Sequence, residues 1–442
     1  MLLEFKTSNY KSFVDEADFV MTAAPKQKGL DYSVCKETIE GKAVKGLCSS
    51  VMYGPNASGK TNLIGAMDVL RAIVLRGNIR NTQEIYTPNS AATMLELIPN
   101  SQLREERPVE FAIEFIESDM RIRYELCVQL GEFADATAKR SVQRENLWIN
   151  GIEIFQRTNV IKAGDLSSIK KYLNFDILQL TSDLQELADT SLDDEELFLM
   201  NGFRMAFSAN LAKMIVDWFA NKFMVIYRAD SLHGVRRFSE PQNVMVYVEK
   251  TTNEAAKIFG INSNAVGYVK SELDSEARLC SLFKNLKNGA NIAIAADIFE
   301  SYGTVRFINM FPLVIRAIMT GSVLVVDEFD ASIHPMALMS IINVFHNDDI
   351  NKKHAQLIFN THNPIFLNSN IFRRDEIKFV ERDEETNQSV LYALSDFGTV
   401  GKKGVRKQED YMKNYFVGRY GAIKDIDFTP IFEELLSGEV TE

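Results

Sequence analysis

The sequence lacks the features that mark exported, redox-active or membrane-spanning chains. No basic segment followed by an apolar run stands at the N-terminus, so we do not expect export. The most apolar stretch, from Phe311 to Val326, is interrupted by Arg316 and a Thr-Gly turn and is too broken to span a bilayer. Four cysteines stand far apart in no metal-ligand or redox spacing, which predicts reduced thiols in a cytoplasmic protein: Cys35, Cys48, Cys127 and Cys280.

An excess of positive charge is also absent. The 442 residues include 49 Lys and Arg against 60 Asp and Glu, which gives a formal net charge of -11. This balance argues against a general affinity for nucleic acid, although a local basic groove is compatible with it. The basic clusters Arg236-Arg237, Arg373-Arg374 and GKKGVRKQ (401–408) are expected on solvated faces, with nucleic-acid contact as the alternative.

What is present is the pattern of an α/β protein with two or three structural units. A hydrophobic fraction of 46% and a charged fraction of 25% are typical of globular chains. A strand, a glycine-rich turn and a helix come first, and antiparallel strands such as TMLELIP and VEFAIEFIE follow. A helical pattern runs from about Ile152 to Phe223. Two wholly apolar strands separated by one helix come later and predict a parallel sheet covered on both faces.

The segment GPNASGKT lies between the first apolar strand and the first amphipathic helix. It fits the pattern G-x-x-x-x-G-K-[ST] completely, which predicts a loop whose backbone N–H groups surround phosphates at a helix N-terminus. Lys60 can reach the β- and γ-phosphates, and the Thr61 hydroxyl can hold Mg²⁺. The nucleotide-binding residues predicted from this loop are Gly54, Pro55, Asn56, Ala57, Ser58, Gly59, Lys60 and Thr61.

Two adjacent carboxylates end the apolar strand VLVVDE. Asp327 and Glu328 would lie at the sheet edge where ligands bind in open α/β folds. Asp327 would hold Mg²⁺ directly or through a water, and Glu328 would orient and polarise the attacking water. A solvated acidic turn is the alternative for this pair taken alone.

The motifs around the acidic pair resemble those of ABC ATPases of the RecF/SMC/OLD class. ESYGT (300–304) lies upstream, FDASIHP and LIFNTHN lie downstream, and NYKSF and GRYGAI stand near the two ends of the chain. The set is similar above all to the AAA-type ATPases found beside restriction and phage-defence genes (RloA-like). The resemblance covers the two ends of the chain and no motif of the helical middle.

This resemblance implies an ATPase whose two active sites form between two copies of the chain. Ser301, Gly303 and Thr304 would bind the γ-phosphate held by the second copy, and Asp330 would reach across the dimer. His362 would hydrogen-bond the γ-phosphate or the attacking water. Taken alone, Ser301 also reads as a helix N-cap and Asp330 as an ordinary turn residue.

Further positions follow from the same motifs. Asn9, Lys11 and Ser12 often lie near the nucleotide in this class. Tyr302 stands where a small residue is more usual, and His334 is expected to be structural.

The expected fold is a P-loop ABC-type ATPase head with an antiparallel β arm and an inserted helical subdomain. We assign residues 1–150 to an N-terminal ATPase lobe with the phosphate loop and the arm. Residues 151–265 form a mainly helical insertion, and residues 266–442 form a C-terminal ATPase lobe.

The implied function is a dimeric switch that binds and hydrolyses ATP with Mg²⁺, acting in antiphage defence through a separate, nuclease-like effector. A RecF-like ATPase that binds DNA or DNA ends is the alternative. The inserted block and the lack of LSGGQ argue against a transporter subunit, so no membrane partner is expected.

Overall fold

The fold is that of a computed structural model. It describes residues 1–80 except 26 and 28, 95–131 except 104, 139–174, 193–227, 245–270, 277–289 except 286 and 288, and 291–437 except 400–403 and 408. Within these residues, no helix combines the length and the apolar character needed to cross a membrane.

A six-stranded, mainly parallel sheet forms the centre of the molecule. Its strand order is β11-β16-β17-β5-β18-β19, and only the β18–β19 pair is antiparallel. The strands are β5 (Ser49–Tyr53), β11 (Phe223–Ile226), β16 (Val323–Val326), β17 (Gln356–Asn360), β18 (Ile377–Arg382) and β19 (Ser389–Ala393). The parallel sheet predicted from the apolar strands is therefore confirmed.

This sheet is covered on both faces, as the all-apolar strands predicted. On β16, Val323 and Val325 belong to one hydrophobic cluster, whereas Leu324 and Val326 belong to another. The first cluster includes helices α1 (Lys60–Arg76) and α2 (Ala209–Asn221). The second includes α5 (Tyr302–Thr320) and α6 (Pro335–Phe345). The alternation of side chains along a strand thus assigns one layer of helices to each face.

A seven-stranded antiparallel sheet forms the arm, in the order β10-β9-β8-β7-β6-β1-β2. Its strands are β1 (Leu2–Ser8), β2 (Ala17–Val20), β6 (Val109–Glu117), β7 (Met120–Gln129), β8 (Ser141–Ile149), β9 (Ile152–Arg157) and β10 (Ile161–Ala163). The expected strand TMLELIP is absent from its described part, residues 95–99.

The arm extends beyond the point where the sequence predicted a helical segment. Asn150 and Gly151 both have positive φ, 53° and 82°, and they join β8 to β9 as a tight hairpin. Residues 152–157 and 161–163 are therefore strands, and the helical pattern expected from Ile152 was wrong at its start. Residues 175–192 of that pattern lie outside the described residues. The three-part division of the chain stays a prediction.

Two small sheets and the remaining helices complete the described part of the fold. The smaller sheets pair β3 (Val34–Ile39) with β4 (Lys42–Leu47), and β12 (Met245–Tyr247), β13 (Ala265–Lys270), β14 (Arg278–Lys284) and β15 (Asn291–Ala295) in that order. The other α-helices are α3 (Lys250–Phe259), α4 (Ala296–Phe299), α7 (Tyr411–Phe416) and α8 (Thr429–Ser437). A π-helix spans Leu199–Phe207, and 3-10 helices span Asp31–Ser33, Leu166–Tyr172, Pro364–Phe366 and Leu394–Phe397.

The four cysteines are free and buried, as reduced thiols would be. The fold nevertheless brings two of them together, because Cys35 Sγ and Cys48 Sγ lie 2.9 Å apart. The sequence spacing of the cysteines gave no sign of this contact. The hydrogen bond with the Cys35 thiol and burial raise the pKa of Cys48, so its reactive thiolate form is disfavoured.

One buried side chain ties the arm to the central sheet. Gln356 on β17 is fully buried, and its Nε2 donates to the carbonyl oxygens of Leu2 (3.0 Å) and Leu47 (2.8 Å). Its Oε1 accepts from the backbone N–H of Leu2 at 2.5 Å. The N-terminal strand is thereby fixed to a strand that comes late in the chain.

Candidate nucleotide site

The phosphate loop joins β5 to α1 in a conformation that needs its glycines. Gly54 and Gly59 have φ of 157° and 115°. A Cβ on Gly54 would lie 2.2 Å from the Val380 carbonyl oxygen, and one on Gly59 would lie 2.6 Å from Ser389 Oγ. The loop therefore packs tightly against β18, β19 and the start of α1. Residues larger than glycine cannot occupy positions 54 and 59.

Lys60 at the start of α1 is turned back over the loop. Its Nζ donates to the carbonyl oxygens of Gly54 (2.7 Å) and Pro55 (2.9 Å). Burial lowers the pKa of Lys60 to about 8, and the nearby carboxylates of Asp327 and Glu328 oppose this shift. The Lys60 ammonium group thus lies in the loop at a place where the phosphates of a bound nucleotide would replace the two carbonyl oxygens as its partners.

Asp327 lies beside the phosphate loop because β16 ends at the same sheet edge as β5. Its Oδ1 accepts from Thr61 Oγ1 at 3.1 Å and from Asn360 Nδ2 at 2.6 Å. Asp327 is only 3% exposed. The sequence predicted that Thr61 and Asp327 would meet, but it did not single out Asn360, which ends the neighbouring strand β17.

The oxygen atoms of Thr61 and Asp327 fit the requirements of a magnesium ion. Mg²⁺ is usually held by one or two protein oxygens together with phosphate oxygens and waters. The described residues contain no group of three or more His, Cys, Asp and Glu side chains that could hold a metal on their own. An ion held by Thr61 and Asp327 would therefore complete its coordination with waters or with oxygens of a bound nucleotide.

Glu328 follows Asp327 in a left-handed backbone conformation, with φ of 49°. Its N–H donates to Asn360 Oδ1, and its carbonyl oxygen accepts from Arg306 Nη2 at 2.5 Å. These two bonds fix both polar groups of the Glu328 backbone, while the residue remains exposed. Because its backbone is fixed in this way, Glu328 can face the cavity without a hydrogen bond to its carboxylate.

His362 lies on the loop that follows β17 and shares the cavity with Glu328. Burial and the positive charge of Lys60 lower the pKa of His362, while Asp330 and Glu328 act in the opposite direction. The imidazole is therefore mostly neutral at pH 7 and can both donate and accept a hydrogen bond.

The loop, Glu328 and His362 enclose an open cavity of about 450 Å³. It is lined by residues 56–62 of the phosphate loop and α1, by Glu328, Asn360 and His362, and by Arg382. Arg382 was missed by the sequence analysis, and its Nη1 donates to the Ala57 carbonyl oxygen at 3.4 Å. This cavity brings together residues 56–61 of the predicted loop with Glu328 and His362, whereas Gly54, Pro55 and Asp327 are not among its lining residues.

The segment that contains Ser301 does not line this cavity. Ser301 is exposed and caps α5, where its Oγ accepts from the Thr304 N–H at 3.1 Å. A Cβ on Gly303 would lie 2.0 Å from the Ser332 carbonyl oxygen, so the start of α5 packs directly on the turn that contains Asp330. Ser301, Gly303 and Thr304 thus lie together at the start of α5, next to the turn that contains Asp330, and of these three only Ser301 is exposed.

Other predicted positions have structural contacts. Ser12 Oγ accepts from Asn62 Nδ2 at 2.8 Å and lies against Gly59, so it supports the phosphate loop. Lys11 pairs with Glu96 at 2.5 Å, and Asn9 bonds the Arg107 carbonyl oxygen. His334 caps α6 by accepting from the Met336 N–H, which confirms its structural assignment.

Of the three basic clusters, only one is fully described. Arg373 pairs with Asp375, and Arg374 donates to Gln27 and to the backbone of Gly398. Both arginines are over 90% buried, so their assignment to a solvated face was wrong. Arg236-Arg237 and part of the 401–408 cluster lie outside the described residues.

A phosphate loop between a central strand and its helix, with an acidic pair at the end of a parallel strand two positions away in the sheet, defines the class of P-loop ATPases. Residues 49–368 match the AAA_21 family, which is described as "AAA domain, putative AbiEii toxin, Type IV TA system". Because this match covers more than half of the 442 residues, the chain belongs to the AAA_21 family.

Two solved structures show a partial likeness to the chain. One is the SMC head domain from Thermotoga maritima, with 11% identity, 89% of this chain and 98% of that chain covered, and a TM-score of 0.35. The other is an SmcHead bound to the C-winged helix domain of ScpA, with 12% identity, 89% and 97% covered, and a TM-score of 0.36. No curated protein matches the sequence at a significant level.

Proposed function

We propose that the chain binds ATP with Mg²⁺ and hydrolyses it when two copies pair around the nucleotide. The strongest support for this pairing is that the residues expected to contact the nucleotide lie in two separate places on one chain. The phosphate loop, Glu328 and His362 share one cavity, and Ser301 is not among the described residues that line it. A second copy would then bring its own Ser301 to the exposed side of the bound triphosphate.

Each residue of the cavity has a role in this reaction. Lys60 balances the negative charge of the β- and γ-phosphates, while Thr61 and Asp327 would hold the magnesium ion. Glu328 orients the attacking water and accepts its proton, and the neutral His362 hydrogen-bonds the γ-phosphate or that water. Mg²⁺ supplies further charge neutralisation when it is bound.

Three variants test the shared site. Lys60→Ala is expected to abolish ATP binding. Glu328→Gln should bind ATP and accumulate as a dimer, with kcat lower by a factor of about 100 or more because the general base is lost. Ser301→Arg should bind ATP but remain monomeric and inactive. Nucleotide titration, size-exclusion chromatography and phosphate release measure these three properties.

Thr320→Arg is the matched control for Ser301→Arg, because Thr320 is exposed at the opposite end of the same helix. It should dimerise and hydrolyse ATP as the unmodified chain does. A Ser301→Arg monomer that hydrolyses ATP at the normal rate would refute the shared site.

We further propose that the ATP-bound dimer controls a separate effector in antiphage defence. The family description refers to a toxin of a type IV toxin–antitoxin system, and the chain's motifs resemble those of ATPases beside phage-defence genes. A DNA-binding role of the RecF kind is less favoured, because Arg373 and Arg374 are engaged in buried contacts.

Purification of the chain from its native operon tests the effector. The product of a neighbouring gene should be retained by Glu328→Gln with ATP and lost from Ser301→Arg, because only the first variant forms the dimer. A chain that binds no neighbouring gene product in either state would contradict this role. Duplex DNA retained by the same Glu328→Gln dimer, with no protein partner, would favour the DNA-binding alternative.

A further inference from the structure

Arg306 is a buried cation, and at least three of its five N–H donors have no partner in the described part of the chain. It is 4% exposed, and its Nη2 donates to the Glu328 carbonyl oxygen. Its Nε and Nη1 are buried without a hydrogen-bond partner among the described residues. Unsatisfied buried donors cost free energy, so stability alone does not account for an arginine here.

The position of Arg306 links two parts of the candidate site. It lies in the second turn of α5, the helix that Ser301 caps. The same helix start packs against the turn after Glu328, through the close approach of Gly303 to Ser332. A shift of α5 therefore acts on the Glu328 carbonyl through the guanidinium group.

The Glu328 peptide depends on this contact. Its left-handed conformation is one that a residue with a Cβ rarely adopts without support. Asn360 on β17 holds its N–H, and Arg306 on α5 holds its carbonyl oxygen. Asn360 lines the nucleotide cavity of the same subunit, whereas Arg306 belongs to the helix that Ser301 caps.

We propose that Arg306 is a positioning residue that couples nucleotide contact at Ser301 to the orientation of Glu328 in the same subunit. The inference rests on the proposed ATP-dependent dimer. When the γ-phosphate of the second copy binds Ser301, α5 moves, and Arg306 carries the movement to the Glu328 backbone. The spare Nε and Nη1 donors let the guanidinium exchange acceptors during this shift. Hydrolysis at one site thus requires nucleotide at both.

Arg306→Met and Arg306→Lys test the coupling. Both variants should bind ATP with a Kd within about twofold of normal, because Arg306 does not line the cavity, yet lower kcat about tenfold or more. The Hill coefficient of hydrolysis should fall from near two to near one, since the two sites no longer communicate. The Tm of Arg306→Met should be unchanged or higher, because apolar replacement of a poorly satisfied buried charge is often neutral or stabilising.

The control is Arg316→Met, which removes an exposed arginine from the same helix. Its kcat and Hill coefficient should remain normal. Arg306→Met combined with Glu328→Gln should still form the ATP-bound dimer, because the proposed role concerns catalysis and not pairing.

Two results separate this inference from the proposed function. If Glu328→Gln alone fails to dimerise with ATP, the proposed function itself is wrong. If Glu328→Gln dimerises while Arg306→Met and Arg306→Lys keep normal kcat and cooperativity, the coupling role is wrong. A fall in kcat with unchanged cooperativity would also overturn it, because Arg306 would then act only within its own site.

Discussion

Lys60 illustrates how burial prepares a single side chain for an anion. Its ammonium group bonds two carbonyl oxygens of its own loop, and its pKa is lowered to about 8. Phosphate groups next to it would favour the charged form and raise that pKa again. At any pH at which Lys60 of the free protein is partly deprotonated, nucleotide binding should therefore be accompanied by the uptake of a proton.

The pH dependence of ATP affinity follows from this residue. Affinity should be nearly constant from pH 7 to 7.5 and then weaken above pH 8, by up to about tenfold per pH unit, because deprotonated Lys60 must regain its proton. Nucleotide titrations between pH 7 and 9.5 measure the slope. Lys60→Arg, which stays charged throughout this range, is the control and should show a flat profile. An affinity that is constant to pH 9.5 in the unmodified chain would contradict the lowered pKa.

At the residue scale, the sequence could identify groups that belong to recognisable motifs, including Thr61 and Asp327, but not the partners to which no motif assigns a role. The phosphate loop is contiguous, so Lys60 and Thr61 were recognised from spacing alone. Asn360 and Arg306 lie 33 and 22 residues from their partners Asp327 and Glu328. Asn360 carried a weak signal, because it is a polar residue ending an apolar strand at the same sheet edge. Arg306 carried none, since arginines in amphipathic helices are usually solvated.

At the element scale, the start of α5 and the turn after β16 behave as one packed unit. Gly303 lies so close to the Ser332 carbonyl oxygen that no side chain fits between them. The helix therefore cannot tilt independently of the turn that holds Asp330. This contact gives a physical reason for glycine at the fourth position of ESYGT.

Gly303→Ala tests the packing of these two elements. Alanine favours the helix by about 0.5–1 kcal/mol, but its Cβ would force α5 away from the turn. We expect normal ATP binding, a kcat lower by about tenfold or more, and a lower Tm, because the packing loss exceeds the helix gain. Nucleotide titration, phosphate release and thermal unfolding measure these effects. Met319→Ala, at an exposed position of the same helix, should change none of them. Full activity in Gly303→Ala would show that the contact is dispensable.

The extent of the arm shows why element boundaries were harder to predict than elements. The Asn-Gly pair at 150–151 was a hairpin signal, and IEIFQR continues the alternation of a strand. Apolar residues farther along the chain follow a helical spacing, which obscured this hairpin signal. The sequence prediction therefore ended the arm one hairpin too early. Short apolar runs fit both periods, and only the pairing of β9 with β8 decides between them.

At the scale of the whole molecule, the central sheet is assembled from distant parts of the chain. Strand β5, which leads into the phosphate loop, lies between β17 and β18. Gln356 and Leu47, which bond each other, are 309 residues apart in sequence. The class of fold was predictable because each apolar strand was recognisable alone, whereas the insertion of β5 between two late strands was not.

This strand order has a consequence for synthesis on the ribosome. Strand β5 emerges early but has no sheet partner until β17 and β18 have been translated. At about 5–20 residues per second, that delay lasts roughly 15 to 65 s. Throughout this interval the nascent chain exposes an apolar strand with unpaired backbone groups. Binding of a chaperone during translation would therefore protect the segment that later carries the phosphate loop.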